Sequence, residues 1–139
     1  MDRVAEERVD LHLHGTMEVN SKGVLETGEI SVKDLVQKYG TPLLVLDEAE
    51  IRHNIRQYVN TFADNYSDYK VLYACKAFSN RTLCRILDEE GAGVDVVSGG
   101  EMYTALQADF PSENIYFHGN NKQPQEINLG LDHDIGRFM

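Results

Sequence analysis

Tyr69-Lys70-Val71-Leu72-Tyr73-Ala74-Cys75-Lys76-Ala77-Phe78-Ser79-Asn80 is an apolar run rich in β-formers. It ends in a lysine set between small residues, and a Ser-Asn pair able to start a helix follows. A strand of this composition is typical of a parallel sheet covered by helices, where both faces are buried. The period of two puts Leu72, Ala74 and Lys76 on one face and Val71, Tyr73 and Cys75 on the other. An ammonium therefore falls at the C-terminal end of a buried strand. Burial there is costly unless the amine is paired, lowered in pKa or consumed in a covalent bond. The plainer alternative is that Lys76 emerges at the strand end and reaches water along its own stem.

Downstream of this run, strand and helix signals alternate. Asn80 or Ser79 caps a helix whose stripe is Leu83, Ile86 and Leu87, ending at Gly91. Residues 94–98 form a strand, and Gly99-Gly100 leads into a helix carrying Met102, Ala105 and Leu106 that stops near Pro111. Residues 114–118 form the next strand. Pro124 suits the first position of a helix with Ile127 and Leu131 facing inward, and residues 135–139 begin one more strand. Upstream, Ser31 opens a capping box for a helix over 35–39 closed by Gly40. Residues 43–46 have the composition of a buried strand. Asp47 caps a helix with Ile51, Ile55, Tyr58, Val59 and Phe62 on one face. Alternation over 9–14, and Val24-Leu25 between glycines, predict short strands with turns. The whole predicts an α/β fold of βα units around a parallel sheet. A complete (β/α)8 TIM barrel takes about 250 residues, so the chain is expected to be an N-terminal fragment. It comprises a β segment over 1–30 and roughly the first half of a barrel over 31–139.

At 139 residues, 42% hydrophobic and 26% charged, the chain has the balance of a globular protein with a core. A formal charge of −10 leaves no basic patch to meet phosphates, which argues against nucleic acid or an anionic membrane as partner. Cys75 and Cys84 fall inside apolar elements, as buried free thiols of a reducing compartment do. No apolar run is long enough to span a membrane. The first residues lack the basic start and apolar core of a signal peptide, so a cytoplasmic location is expected. His12 and His14 share a strand face, but no further ligand follows at zinc spacing, and no metal site is expected. His53 and His133 sit on helices and are expected at the surface.

In parallel βα folds, ligands gather at the C-terminal ends of the strands. Those ends carry Lys76, then Asp95 to Glu101, then His118-Gly119-Asn120-Asn121-Lys122. A lysine, a carboxylate and a histidine on one rim can support Schiff-base chemistry, the amine attacking a carbonyl while its neighbours tune it. Tyr73-Ala74-Cys75-Lys76-Ala77 resembles the lysine motif of the fold-type III pyridoxal-phosphate decarboxylases. Gly91-Ala92-Gly93-Val94-Asp95-Val96-Val97-Ser98-Gly99-Gly100-Glu101 resembles the glycine-rich strand that follows it in that family. His118-Gly119-Asn120-Asn121-Lys122 is similar to a segment typical of the family's diaminopimelate branch. Thr41-Pro42-Leu43-Leu44-Val45-Leu46-Asp47 resembles the start of its barrel. The likeness runs from about Val19 to the end of the chain.

The resemblance implies pyridoxal 5′-phosphate as cofactor, linked to Lys76, with the lysine later free to move a proton. It places Asp95 on the rim near the cofactor and the lysine, and Ser98, Gly99 and Gly100 where backbone approaches closely. It implies decarboxylation of the amino acid meso-2,6-diaminopimelate to L-lysine. Arginine, ornithine or carboxynorspermidine are alternative substrates on the same fold, and a non-catalytic regulatory relative is the rival of a different class. It further implies that residues 1–30 join a C-terminal β-domain and that a homodimer shares its active sites. The family's phosphate loop, its carboxylate partner for the pyridine nitrogen, its substrate-facing cysteine and its ring-stacking histidine belong to segments outside these residues. The 139 residues alone are therefore expected to be inactive. From local chemistry only, Asp95 could equally bond nearby backbone. His118 would shape the rim, Asn120 and Asn121 would make turn bonds, and Lys122 would be a solvated charge.

Overall fold

The computed structural model describes residues 12–139. They fall into two compact units, one reaching Ile51 and one spanning Arg52–Met139. In the first unit, β1 (Glu18–Val19), β2 (Leu25–Thr27) and β3 (Ile30–Ser31) form an antiparallel meander in that order. Ser31 also caps α1 (Val32–Tyr39), its hydroxyl accepting from the Lys33 N–H at 3.2 Å. Gly40 closes that helix at φ 79°, a conformation that costs glycine nothing. Asp47 caps α2 (Glu48–Asn65) as its position predicts, one carboxylate oxygen accepting from the Glu50 N–H at 3.0 Å. Its other oxygen accepts from the Thr16 hydroxyl at 2.6 Å and the Thr16 N–H at 2.8 Å. Those Thr16 bonds, the hydroxyl first, hold the Asp47 carboxyl below the usual range.

The structure corrects the expected buried strand over 43–46. The segment joins no ladder among the described residues, and its four side chains are between 38% and 75% exposed. Composition marks a stretch able to be a strand, but a strand exists only where a neighbour takes its N–H and C=O groups. Half of the strand expected over 9–14 lies outside the described residues; His12 and His14 are exposed and belong to no strand.

The second unit is built on a parallel sheet in the order β4 (Leu72–Ala74), β5 (Gly93–Val96), β6 (Ile115–Phe117), β7 (Arg137–Phe138). The crossovers carry α3 (Arg81–Glu89), α4 (Gly99–Leu106) and α5 (Pro124–Asp132). Register assigns the faces. Tyr73, Val94 and Ile115 stand in one row and Val96, Phe117 and Phe138 in another. Val94, Val96, Ile115 and Phe117 are fully buried, alongside Leu83, Cys84, Ile86 and Leu87 of α3 and Met102 and Ala105 of α4. This face is the core. The opposite face presents the row Ala74, Asp95, Tyr116 and Arg137. Ala74 and Arg137 are exposed there, while Asp95 and Tyr116 are half-buried. So β4 is buried on its Cys75 side and open on its Ala74 side, not covered on both faces as its composition predicts.

Two further expectations change. α5 turns Gly130 inward, where a β-carbon would meet the Phe138 ring at 2.7 Å, and leaves Leu131 59% exposed. α2 forms as expected, but none of its residues is buried, and Tyr58 and Phe62 stay exposed. Periodicity shows which side of a helix is apolar, not what lies there to cover it. Within the second unit, Arg52 bonds Glu89 at 2.6 Å and Glu90 at 2.8 Å, and Arg56 bonds Glu90 at 2.5 Å. The Arg56 bond above all, with Arg52 next, holds the Glu90 carboxyl down to about 2. Cys75 and Cys84 are free and buried, as expected. No helix among the described residues is long and apolar enough to cross a membrane.

Candidate functional site

The parallel order of β4 to β7 puts their C-terminal ends along one edge, and the strand-end groups singled out from the sequence, Lys76, Asp95 to Glu101 and His118 to Lys122, follow those ends. The β4 end is tightly turned. The Cys75 N–H donates to the Asp95 carbonyl at 2.9 Å, extending the ladder one residue, and the Ala77 N–H donates to Ala74 O at 3.2 Å. The Tyr73 hydroxyl donates to Phe78 O at 3.0 Å, and the Asn80 side chain caps α3 by accepting from the Leu83 N–H at 2.8 Å. Cys75 turns into the core, where burial first and Cys84 second push its thiol up to about 12. Lys76, next in the chain, stands exposed in the turn. Among the described residues it makes no hydrogen bond or ion pair. The fold thus fixes the backbone around this lysine and leaves its amine accessible.

Asp95 sits near the end of β5, opposite Ala74 on one side and Tyr116 on the other. One of its oxygens, Oδ2, lies 3.6 Å from His118 Nδ1. The other, Oδ1, is buried and accepts no hydrogen bond. Such an orphaned oxygen on a rim carboxylate is set up to receive a donor. After β5, the Ser98 hydroxyl caps α4 by accepting from the Glu101 N–H at 3.3 Å. The Glu101 carboxylate accepts from the Val97 N–H at 2.8 Å. The Gly99 N–H donates to Glu126 at 2.6 Å, and the other oxygen of Glu126 accepts from the Gln123 N–H at 2.9 Å. Glu126 therefore joins the starts of α4 and α5. The Gln123 bond first, then the Gly99 bond, holds its carboxyl below the usual range.

Lys122 is not the solvated charge its sequence position predicts. Its ammonium donates to Gly119 O at 2.6 Å and Met139 O at 2.7 Å and lies 5.3 Å from the centre of the Phe117 ring. It clasps the turn after β6 to the end of β7. Gly119 adopts φ 111°, with the Val97 carbonyl 3.1 Å from where a β-carbon would be, so the chain needs glycine there. Asn121 accepts from the Gln123 side chain at 2.9 Å, a turn bond of the expected kind. His53 and His133 are exposed. No group of three or more metal-ligating side chains occurs among the described residues.

A parallel βα sheet with a lysine and a carboxylate at its strand ends is compatible with many activities, and comparison with known proteins gives the class. Residues 49–139 match the pyridoxal-binding domain of the pyridoxal-dependent decarboxylases; the chain belongs to this family. The diaminopimelate decarboxylase of Bacillus methanolicus is 50% identical over 126 residues, covering 91% of this chain and 29% of that protein. That of Bacillus subtilis (strain 168) is 46% identical over 126 residues, with the same coverage. The crystal structure of diaminopimelate decarboxylase from M. jannaschii superposes with a TM-score of 0.78 at 34% identity, covering 88% of this chain and 29% of that one. The same enzyme is also known in co-complex with L-lysine. The chain thus spans about 29% of the length of these relatives. Its fold is that of their N-terminal part.

Proposed function

We propose that the protein containing this chain decarboxylates meso-2,6-diaminopimelate to L-lysine and CO2 with pyridoxal 5′-phosphate. The observation that carries this reading is the accessible Lys76 amine, held in a rigid turn at the rim of a domain whose family binds pyridoxal. The relatives at 46–50% identity direct it to diaminopimelate.

The rim fits the cofactor chemically. An aldehyde needs an unencumbered primary amine, and Lys76 supplies one. A lysine amine at such a rim needs a negative charge to orient it, and Asp95 Oδ1 is a buried acceptor without a donor. When bound, pyridoxal phosphate supplies the electron sink that lets the bond between Cα and the carboxylate break. The chain's own residues do the rest of the work on this side of the site. Lys76 anchors the cofactor and afterwards holds a proton on Nζ. Asp95 orients that amine by charge. Ser98 and Gly99 keep the β5–α4 connection close to the sheet; the Gly99 N–H is committed to Glu126, so what they offer the cofactor is room. The other residues required lie outside this chain, together with a C-terminal β-domain that the β1–β3 segment joins. The assembly is a homodimer with shared sites, located in the cytoplasm, and the charge of −10 supports a small-molecule partner over nucleic acid or a membrane.

The test uses the full-length protein. Borohydride reduction of the cofactor-loaded protein, followed by peptide mass spectrometry, should find pyridoxyl on the peptide containing Lys76. Lys76→Ala should abolish the visible absorbance band without unfolding the protein. Modification at another lysine, or an unchanged band in Lys76→Ala, would refute the assignment. Release of CO2 from ornithine or arginine in preference to meso-diaminopimelate would move the substrate to another branch.

A further inference from the structure

Attachment at Lys76 leaves one contact on the rim without a purpose. Asp95 has one oxygen near His118 and one buried oxygen with no donor at all. An unpaired buried acceptor is unfavourable, because its lost hydration is not replaced. The polar side chain beside the carboxylate is the His118 ring, 3.6 Å from Oδ2. That ring is placed by backbone. The His118 N–H donates to Val96 O at 2.9 Å, and Tyr116, two residues earlier, stands directly opposite Asp95. On the other side of β5, the Asp95 carbonyl receives the Cys75 N–H, one residue before Lys76. Asp95 is therefore flanked by the strand that delivers the lysine and the strand that delivers the histidine.

We propose that His118 is a positioning residue for Asp95: it engages Oδ2 and so turns Oδ1 toward the Lys76 side of the rim. At 3.6 Å the contact is longer than a hydrogen bond, and it is an ion pair only when the imidazole carries a proton. The His118 side chain is 58% exposed and that of Asp95 26%, so the pair orients more than it stabilises. The other charged or titratable groups around Asp95 are Lys76 after β4, Glu101 in the first turn of α4, Tyr116 on β6 and Arg137 on β7, with Cys75 on the buried side. They are the same in every variant below. This inference rests on the pyridoxal reading.

The experiment measures, in the full-length protein, the dissociation constant of pyridoxal phosphate and the pH midpoint of the visible band of the bound cofactor. The variants are His118→Ala, His118→Asn, Asp95→Asn and the Asp95→Asn/His118→Ala pair. An asparagine amide can place an N–H donor near the position of Nδ1. His118→Ala should weaken cofactor retention about threefold, as expected for a partly exposed ion pair, and shift the midpoint. His118→Asn should restore both. In the Asp95→Asn background, His118→Ala should add nothing. An unchanged constant and midpoint in His118→Ala, or an undiminished effect without Asp95, overturns the positioning role. A wild-type protein that develops no band in pyridoxal phosphate overturns the pyridoxal reading, and this inference with it. A normal band with His118→Ala silent overturns the inference alone.

Discussion

Phe117→Ala tests the core on which the rim rests. Phe117 is fully buried, its ring centre lies 6.0 Å from that of Phe138, and the Lys122 ammonium sits 5.3 Å above it. Truncating a buried phenylalanine costs about 3–5 kcal/mol, the cavity included. The tilted ring pair accounts for about 0.5–1.5 kcal/mol of that loss, so about 3–5 kcal/mol is expected in all. That is comparable to the whole stability of many domains, about 5–15 kcal/mol. The control is Leu131→Ala on α5, which is 59% exposed and should change stability by no more than about 0.5 kcal/mol. Denaturant unfolding of the full-length protein, followed by hydrogen exchange of the β6 and β7 amides, separates this region from the rest. A loss below about 1 kcal/mol for Phe117→Ala, or a Leu131→Ala as damaging as Phe117→Ala, would refute the assignment of faces argued from register.

Other perturbations have equally definite outcomes. The Glu90 carboxyl is held at about 2 against an ordinary 4.5, so its contribution is complete above pH 4.5 and is lost as pH falls toward 2. Glu90→Gln should flatten that part of the unfolding-midpoint profile, and an unchanged profile would count against the Arg52–Arg56 clamp. Cys75 and Cys84 should resist iodoacetamide at pH 8 in the native protein and label freely in denaturant, because the thiolate is the reactive form and both thiols are buried; equal labelling in the two conditions would contradict their burial. Gly136→Ala should destabilise by at least about 1–3 kcal/mol, since a β-carbon there would run into the Glu113 carbonyl. Wild-type stability in that variant would mean the close approach is not required.

Much of the architecture is legible because it depends on local chemistry. Ser31, Asp47, Asn80 and Ser98 cap helices through their own side chains, and the period of two across Val94 to Val96 is enough to place them in the core. What depends on a distant neighbour is not legible. Residues 43–46 have strand composition but no ladder. Leu131 falls at helical spacing from Ile127, yet the ring of Phe138 occupies the space that Gly130 leaves open. The site divides in the same way. Lys76 and Asp95 are candidates from their places at strand ends, Ser98 and Gly99 from the family resemblance, and the fold sets all four along one edge. The grip of Lys122 on two carbonyls, and the orphaned oxygen of Asp95 beside His118, depend on chain segments brought together by the sheet. Glu126 carried a signal that could have been used: it lies three residues after Gln123, at capping-box spacing.

Lys122 and Lys76 end on the same rim in opposite conditions. Two of the three N–H groups of Lys122 are spent on the carbonyls of Gly119 and Met139, and an aromatic face lies 5.3 Å from its charge. Lys76 stands exposed with nothing to hold it. Of these two amines, only that of Lys76 is free of hydrogen bonds among the described residues. Occupation separates the two lysines: the fold gives the Lys122 ammonium a structural task and leaves that of Lys76 open.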